Sequence, residues 1–430
     1  MARFLFASTP IEGHSSSPLS VMERLVRTGH EVSWLAGAAY AERGRRLGVR
    51  HVPFTHWTDY SGHDPFDFFP QLRGRSGVGL IKAGFRDVFI QEARNQVLDI
   101  EAALDDTRAD VLVADPLAFG APLVSERRGI PYAGIGDGPF ATTSPDAPPF
   151  GPGLRLWGGP VGRLRNRTLN ALTRLVFRDV DRALTDMRVE HGLPPEHPWV
   201  FDSMVSPHLY LQGCVPEFEY PYRNIPDQVR FVGALRPPIP ADWTPPVWWD
   251  DLDAARHRRR PVVHVTQGTI RPDVDELIRP AIRALDGEDV LVVVTTGTGD
   301  PAALGRLPAN VRVAPFVPYE RLLERASLFV TNGGYIGTNL ALHHGVPIVQ
   351  IGATEEKPEI GARIAYTGVG VAMRRVPSVA RLRSTILATL RDPAIRVRVA
   401  AVASSYQRHH APTECADALV MLAARRSAVS

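Results

Sequence analysis

Short apolar runs alternate with amphipathic segments along most of the chain, and this alternation predicts parallel strands covered by helices. Near the beginning, strands are predicted over residues 3–8 and 31–35, with an amphipathic helix over residues 18–28 between them. A strand, a helix and a strand in this order form a βαβ unit of a parallel sheet. The predicted fold class is therefore α/β with doubly wound sheets.

A stretch rich in proline and tryptophan divides the chain. Residues 236–250 contain five prolines and three tryptophans, and a second α/β series begins beyond them. The predicted organisation is a first domain, a linker, a second domain and a last amphipathic helix, over residues 1–235, 236–258, 259–410 and 411–430. Two doubly wound domains imply a cleft between them, where a ligand that touches both would bind.

The overall composition is that of a globular protein, with 44% hydrophobic and 22% charged residues in a chain of 430. No apolar run is long enough to span a bilayer, and the N-terminus is interpreted as a first strand and not as a signal peptide. Cys214 and Cys415 are far apart in sequence and have no metal or redox spacing, so a reducing cytoplasmic location is expected. No set of His, Cys, Asp and Glu has metal-ligand spacing, and no metal is predicted.

The formal net charge is only +3. The densest basic cluster, residues 256–260, lacks interleaved aromatic residues, so a solvated charge run is the better interpretation and no nucleic-acid partner is expected.

Two polar residues follow strands of the first predicted sheet. His14 comes after the first strand and Asp115 after a buried strand at residues 111–114. Since the carboxyl ends of parallel strands meet at one edge of the sheet, both residues are expected at that edge. A histidine there can act as a general base, and a carboxylate can orient it and stabilise its protonated form. Alternatively, His14 is an exposed loop residue and Asp115 only begins a helix.

A glycine turn links a strand to a helix in the second predicted domain. The strand at residues 328–330 ends at Asn332-Gly333-Gly334, and a helix is predicted over residues 335–344. The amides at the start of such a helix can bind a phosphate, and Asn332 is placed where an N-cap residue belongs. The pattern matches neither GxGxxG nor a Walker loop. A tight turn without a ligand is the alternative.

This stretch resembles the donor-binding signature of the family 1 nucleotide-sugar glycosyltransferases, particularly the bacterial macrolide and antibiotic type. Asn332 stands in the histidine position of that signature, Gly-Val-Pro at residues 345–347 has the family spacing, and Glu356-Lys357 occupies the position of an Asp-Gln pair. The segment 13–18 resembles the family's catalytic histidine loop, with one residue more before the proline than in the commonest form. The resemblance implies a GT-B fold, in which two Rossmann-like domains face across a cleft and the last helix returns to the first domain.

The resemblance also assigns a donor site. Segments 266–269 and 316–319 are similar to loops that hold the phosphates and stack on the nucleobase. The implied donor-binding residues are Thr266, Gly268, Thr269, Phe316, Val317, Asn332, Gly333, Gly334, Gly337, Thr338, Glu356 and Lys357.

Several positions depart from the family pattern. Asn332 brings no charge to the diphosphate, and Tyr319 replaces a Gln. Leu340 replaces a Glu that accepts hydrogen bonds from ribose, and Asn339 lies about 100° away around the helix. A deoxyribose donor loses less from the change at Leu340, which favours dTDP-sugars over UDP-sugars without excluding the latter.

The predicted function is an inverting glycosyltransferase in which His14 deprotonates a hydroxyl or amine and Asp115 stabilises the imidazolium. The co-substrate is a UDP- or dTDP-sugar, and no other cofactor is expected. The acceptor is predicted to be a small hydrophobic natural product, bound by the aromatic segment that contains Phe66, Phe68 and Phe69. Whether the chain forms a homodimer is left open.

Three alternatives remain at this point. A non-catalytic partner of another transferase would explain the altered donor positions, but it would not need His14 and Asp115. A nucleotide-sugar epimerase would require acidic residues around the sugar. An NAD enzyme is disfavoured because no GxGxxG follows the first strand.

Overall fold

The computed structural model describes residues 1–268 and 273–427 of the chain, and it divides into two compact units. The first unit comprises residues 1–152, 156–237 and the segment from His409 onward, and the second comprises residues 153–155 and 238–408. Each unit is built around its own parallel sheet.

The sheet of the first unit has seven strands among the described residues, all parallel, in the order β3-β2-β1-β4-β5-β6-β7. The strands are β1 (Arg3–Ala7), β2 (Glu31–Leu35), β3 (Arg50–Val52), β4 (Val111–Ala114), β5 (Tyr132–Gly136), β6 (Leu209–Gln212) and β7 (Val229–Phe231). Phe4 and Phe6 of β1 pack on one side of the sheet, and Leu5 and Ala7 on the other. Burial on both faces explains why this strand is almost continuously apolar.

Helices cover this sheet. They are α1 (Glu12–Ser16), α2 (Leu19–Arg27), α3 (Ala41–Arg46), α4 (Pro65–Phe68), α5 (Gly77–Gly84), α6 (Ile90–Thr107), α7 (Gly120–Arg128), α8 (Gly159–Val176) and α9 (Arg178–Glu190). A π-helical turn, Phe85–Phe89, joins α5 to α6.

The second unit has a parallel sheet of six strands within the described ranges, in the order β10-β9-β8-β11-β12-β13. The strands are β8 (Val262–Thr266), β9 (Leu291–Thr295), β10 (Val311–Ala314), β11 (Leu328–Thr331), β12 (Ile348–Ile351) and β13 (Gly370–Met373). The helices are α10 (Asp250–His257), α11 (Ile278–Leu285), α12 (Tyr319–Leu323), α13 (Tyr335–His343), α14 (Lys357–Thr367), α15 (Val379–Arg391) and α16 (Pro393–Tyr406).

In each sheet the chain adds strands first toward one edge and then toward the other, so the strand order reverses at one point. In the first unit the reversal lies between β1 and β4, and in the second it lies between β8 and β11. Ligands of open α/β sheets bind at the carboxyl ends of the strands beside such a reversal. Two Rossmann-like sheets confirm the predicted α/β class.

The last helix, α17 (Ala411–Ser427), belongs to the first unit, where it packs against α2. Its Cys415 and Leu419 are fully buried in the core on one side of the first sheet. No helix in the described part of the chain is both long and apolar enough to cross a membrane.

Some predicted boundaries differ from the structure. The stretch 236–258 was predicted to be a linker, but its final part forms α10, whose Leu252 and Ala255 are buried in the second unit. The sequence also predicts a helix over residues 272–285. In the structure this helix, α11, begins at Ile278, and residue 272 lies outside the described residues.

Candidate functional site

His14 lies between two carboxylates at the carboxyl end of the first sheet. The helix that carries it, α1, follows β1 directly, whereas a loop was predicted there. Its Nδ1 is 2.8 Å from Oδ2 of Asp137 and 3.5 Å from Oδ1 of Asp115. The sequence correctly placed His14 and Asp115 at one edge of the sheet but missed Asp137, which makes the hydrogen bond.

Asp115 directs its carboxylate mainly toward the backbone around β1. Its Oδ2 accepts from the Thr9 amide at 2.7 Å, and its Oδ1 accepts from the Thr9 hydroxyl at 2.9 Å and from the Leu117 amide at 3.0 Å. This buried carboxylate therefore fixes the turn between β1 and α1. It also places a negative charge near the imidazole of His14.

Asp137 follows β5 directly and is almost completely buried. Its Oδ2 holds Nδ1 of His14, while its Oδ1 has no hydrogen-bond partner among the described residues. Burial raises the pKa of this carboxyl group, and the neighbouring His14 opposes that shift. An ionised carboxylate can only accept a hydrogen bond, so Nδ1 carries the proton and Nε2 is left as the basic nitrogen.

An aromatic cluster lies next to the turn that carries His14. Tyr60 and Phe69 are buried and meet edge-to-face at a centroid distance of 5.3 Å. Phe66 and Ile11, the residue before α1, pack against the same cluster, whereas Phe68 is 41% exposed. Of the three predicted acceptor residues, Phe69 therefore belongs to a local core, and Phe68 presents apolar surface.

The turn after β11 contacts the turn after β8 in the second unit. The side-chain amide of Asn332 donates to the carbonyl oxygen of Gln267. Gly334, with φ of −63° and ψ of 141°, is the N-cap of α13. The prediction that Asn332 caps the helix was therefore wrong, because its side chain is used to join the two turns.

Gly333 requires glycine for two reasons. Its φ is +98°, and a Cβ there would lie 2.6 Å from Cγ of Gln350. Gln350 is buried in β12 and donates to the carbonyl oxygens of Asn332 at 3.1 Å and Gly352 at 3.2 Å. Gln350 thus holds the glycine turn in place, and no motif in the sequence marks it for this role.

Other predicted donor residues surround this turn. Thr266 ends β8, its hydroxyl donates to the carbonyl oxygen of Thr295 at 3.1 Å, and Gly268 has a φ of +77°. Thr269 lies outside the described residues. Phe316 is 55% exposed and Val317 is fully buried, so the former offers a ring surface suited to stacking on a flat base.

Tyr319 points into the core of the second unit. Its ring packs edge-to-face on His264 and Phe329, and burial raises the pKa of its hydroxyl. A Cβ on Gly337 would lie 2.8 Å from this ring, so Gly337 makes room for Tyr319. Thr338 is also fully buried.

Leu340 and Asn339, the two positions considered for a ribose contact, are both buried. Asn339 donates to the Tyr335 carbonyl at 2.9 Å while accepting from the Tyr406 hydroxyl. Asn339 therefore does not replace the missing acceptor, as its position on the helix predicted.

Lys357 begins α14 and is almost completely buried. Its Nζ donates to the Thr354 hydroxyl at 3.1 Å and pairs with Glu355, which has a left-handed φ of 55°. The Lys357 end of this ion pair is buried and the Glu355 end is partly exposed. The pair joins residues on either side of Glu356, which precedes α14.

No group of three or more His, Cys, Asp or Glu residues is arranged to hold a metal ion within residues 1–268 and 273–427.

Comparisons with known proteins agree with this architecture. Residues 277–422 match the family described as the C-terminal domain of erythromycin biosynthesis protein CIII-like proteins. The chain is 45% identical over 419 residues to 4′-demethylrebeccamycin synthase of Lentzea aerocolonigenes, covering 97% of this chain and 98% of the relative.

Two solved structures show the same fold. The calicheamicin glycosyltransferase CalG4 superposes with a TM-score of 0.75 and 21% identity, covering 99% of each chain. The glycosyltransferase VinC, solved in complex with dTDP, gives a TM-score of 0.68 and 21% identity, covering 98% of this chain and 100% of VinC.

These two sheets with sites at their reversals define a glycosyltransferase with the GT-B fold. The chain belongs to the nucleotide-sugar glycosyltransferases of the antibiotic and natural-product type, which confirms the family predicted from its motifs. The alternative of an NAD enzyme is thereby set aside.

Proposed function

We propose that this chain is an inverting glycosyltransferase that moves a sugar from a dTDP- or UDP-sugar to a hydroxyl or amine of a small hydrophobic natural product. The observation that carries the proposal is the contact of 2.8 Å between His14 Nδ1 and Asp137 Oδ2. It leaves Nε2 basic, as a general base must be. The relative named 4′-demethylrebeccamycin synthase supports a natural-product acceptor.

His14 and its two neighbouring carboxylates act on the acceptor. Nε2 of His14 takes the proton of the acceptor, whose oxygen or nitrogen then attacks the anomeric carbon from the face opposite the diphosphate. The new bond forms as the bond from the anomeric carbon to the diphosphate oxygen breaks. The negative charges of Asp137 and Asp115 stabilise the imidazolium that results.

The leaving diphosphate is stabilised at the start of α13. The Gly333 amide donates to the Thr331 hydroxyl at 3.1 Å, but the amides from Gly334 onward lie at the helix start, where no carbonyl one turn earlier is available, and they can donate to the diphosphate oxygens. Asn332, Glu356 and Lys357 contribute less directly, since Asn332 and Lys357 already hold their own loops. This arrangement does not call for a metal, so transfer should persist in EDTA.

The buried Leu340 favours a deoxyribose donor. A ribose 2′-hydroxyl would find no acceptor at this position, and a polar group left without a partner costs about 1–3 kcal/mol. The solved complex of VinC contains dTDP, in agreement with this preference. A non-catalytic partner protein is disfavoured, because the imidazole of His14 is held in a geometry that such a protein would not need.

Calorimetric binding of dTDP, UDP, GDP and NAD to the whole chain tests the donor assignment. We expect dTDP to bind more tightly than UDP, and GDP and NAD not to bind. The preferred nucleotide then determines which nucleotide-sugars are used in the transfer assays. Equal or tighter binding of UDP would contradict the deoxyribose argument. Absence of binding by all four would contradict the donor site itself.

A further inference from the structure

The helix α8 has its polar side turned inward and its apolar side turned outward. On the inward side, Asn166 is fully buried and donates to the Pro145 carbonyl at 3.2 Å, and Asn170 donates to the Ser144 carbonyl at 3.0 Å. On the outward side, apolar side chains are strongly exposed. They are Val161 (72%), Leu164 (67%), Leu172 (54%) and Leu175 (66%). A helix on a protein surface normally shows the opposite arrangement.

The exposed apolar residues form a stripe on one face of the helix, which the exposed Thr168 interrupts between Leu164 and Leu172. Val161, Leu164, Leu172 and Leu175 are three, eight and three residues apart, so they lie along the same face of the helix. Trp157, just before the helix, is 52% exposed as well. A group of strongly exposed apolar side chains on one helix face is typical of an interaction site.

The stripe is bordered by positive charge. The sequence of α8 contains four arginines and neither Asp nor Glu. With about 100° between successive residues, Arg165 borders one edge of the stripe and Arg167 the other. Arg174 lies on the same side as Arg167 but pairs with Asp202 at 3.5 Å. Arg165 also packs over the ring of Trp157, at 4.4 Å from its centroid.

We propose that α8 binds peripherally to an anionic lipid surface. A helix with an apolar stripe between arginines lies in the plane of the interface, with its apolar side chains at the boundary of headgroups and acyl chains. The arginines then meet lipid phosphates, which they can contact by two parallel hydrogen bonds. The helix does not span the bilayer, and the binding does not depend on the catalytic proposal.

A second copy of the chain fits this surface less well. An 18-residue helix is about 27 Å long and roughly 10 Å wide, which offers on the order of 270 Å² to a partner. A stable interface buries about 800 Å² on each side. A twofold contact between two such helices would also bring arginine borders together without a carboxylate on either helix.

Flotation of the whole chain with lipid vesicles tests the proposal without any substrate. We expect binding to vesicles that contain phosphatidylglycerol, weaker binding to vesicles of phosphatidylcholine alone, and weaker binding at high salt. Absence of binding to the anionic vesicles overturns the proposal. So does equal binding to both vesicle types.

Two matched substitutions separate the role of α8 from a general effect of added charge. Val161→Glu changes the stripe, and Val397→Glu introduces the same change in α16 at a valine that is 70% exposed. Val161→Glu should lower vesicle binding at least about tenfold. A tenfold change corresponds to about 1.4 kcal/mol, and a valine side chain that enters the lipid contributes more than this. Val397→Glu should leave binding unchanged, and equal loss in both variants would contradict the proposal.

The oligomeric state tests the competing explanation, in which α8 binds a second copy of the chain. Size-exclusion chromatography of the wild-type chain and of the double variant Leu164→Glu, Leu172→Glu should give the same apparent mass. A wild-type dimer that this double variant dissociates would overturn the lipid proposal in favour of a second copy. Both leucines are exposed, so the substitutions should leave the fold intact, which circular dichroism can verify.

Discussion

The imidazole of His14 lies against the buried carboxylates of Asp115 and Asp137. These two carboxylates differ in their other hydrogen-bond partners. Asp115 also accepts three hydrogen bonds from Thr9 and Leu117, whereas Oδ1 of Asp137 has no partner among the described residues. At the residue scale, Asp115 therefore supports the turn before α1, and Asp137 sets the tautomer of the histidine. Removing the carboxylate of Asp115 should therefore have a different consequence from removing that of Asp137.

Asp137→Asn should lower kcat by about 10²–10⁴-fold. The side-chain amide of Asn can present its NH₂ group to Nδ1, which would move the imidazole proton to Nε2 and remove the base. The KM values and the affinity for dTDP should change little. Steady-state kinetics and calorimetry check this, and a normal kcat would exclude Asp137 as the positioning residue.

Asp115→Asn should act on stability as well as on activity. Replacing one oxygen by an NH₂ group leaves at least one of the Thr9 donors without an acceptor, and a lost buried hydrogen bond costs about 1–3 kcal/mol. Urea denaturation should show this loss for Asp115→Asn and a smaller one for Asp137→Asn. The reverse order would contradict the division between the two carboxylates.

Part of this arrangement was predictable from the sequence. His14 and Asp115 follow apolar strands. Because parallel strands end at one edge of the sheet, the two residues were expected to lie close together. Asp137 follows β5 by the same rule, but Gly136-Asp137-Gly138-Pro139 looks like an ordinary turn. The hydrogen bond of Asn332 to Gln267 was not predictable, because the two turns are 65 residues apart in the chain.

His264 should make the second unit sensitive to acid. It is fully buried in β8, with Nε2 at 2.9 Å from the Thr295 hydroxyl, and burial lowers its pKa from 6.5 to about 3. The unfolded chain therefore binds a proton below pH 6.5 that the folded chain does not. Stability is fully present above pH 6.5 and falls with pH between about 6.5 and 3, by up to about 1.4 kcal/mol per pH unit.

His264→Gln removes this titration while keeping a side chain that can donate to, or accept from, the Thr295 hydroxyl. Urea denaturation of both proteins across this pH range should show a difference in unfolding free energy that narrows as the pH falls. Parallel curves would mean that His264 does not contribute to acid sensitivity.

At the scale of elements, the glycine turn before α13 offers a matched pair of substitutions. Gly333→Ala places a Cβ at a φ of +98° and 2.6 Å from Gln350, whereas Gly334 has a φ of −63° and nothing within 4 Å of an added Cβ. Gly333→Ala should lower the unfolding free energy by at least about 1–2 kcal/mol. Gly334→Ala should cost less than about 1 kcal/mol.

Thermal denaturation of the two variants, read beside dTDP binding, checks this prediction. Weaker dTDP binding should accompany the lost stability of Gly333→Ala, because Gln350 can no longer hold the turn in its place. Equal stability of the two variants would show that the turn is not constrained as described.

Elements with strong patterns were predictable and others were not. The sequence predicts strands over residues 111–114 and 311–314, and β4 and β10 have these ranges because apolar runs between turn residues define them. The strand β3 (Arg50–Val52) is short and polar, so no pattern marks it. The helix α6 has regularly spaced buried residues, including Val97, Ile100 and Leu104, and was missed although its periodicity predicts a helix.

At the scale of the whole molecule, two similar sheets carry different chemistry at equivalent places. The reversal beside β1 holds a histidine between carboxylates, and the reversal beside β8 holds a glycine turn before a helix. The sequence predicted that His14 and the glycine turn each follow a strand of their sheet, but it predicted neither the strand order nor the second carboxylate, Asp137. The return of α17 to the first unit was expected only from the family resemblance, since periodicity does not say where a helix docks.

The central claim is that His14 is the base for glycosyl transfer, and the most direct test is the rate of transfer by His14→Ala. This side chain is partly exposed, so the variant should fold and bind dTDP as the wild type does. The rate of transfer from a dTDP-sugar to a hydrophobic acceptor should fall at least about 10²-fold. A variant that transfers sugar at the wild-type rate would contradict the account.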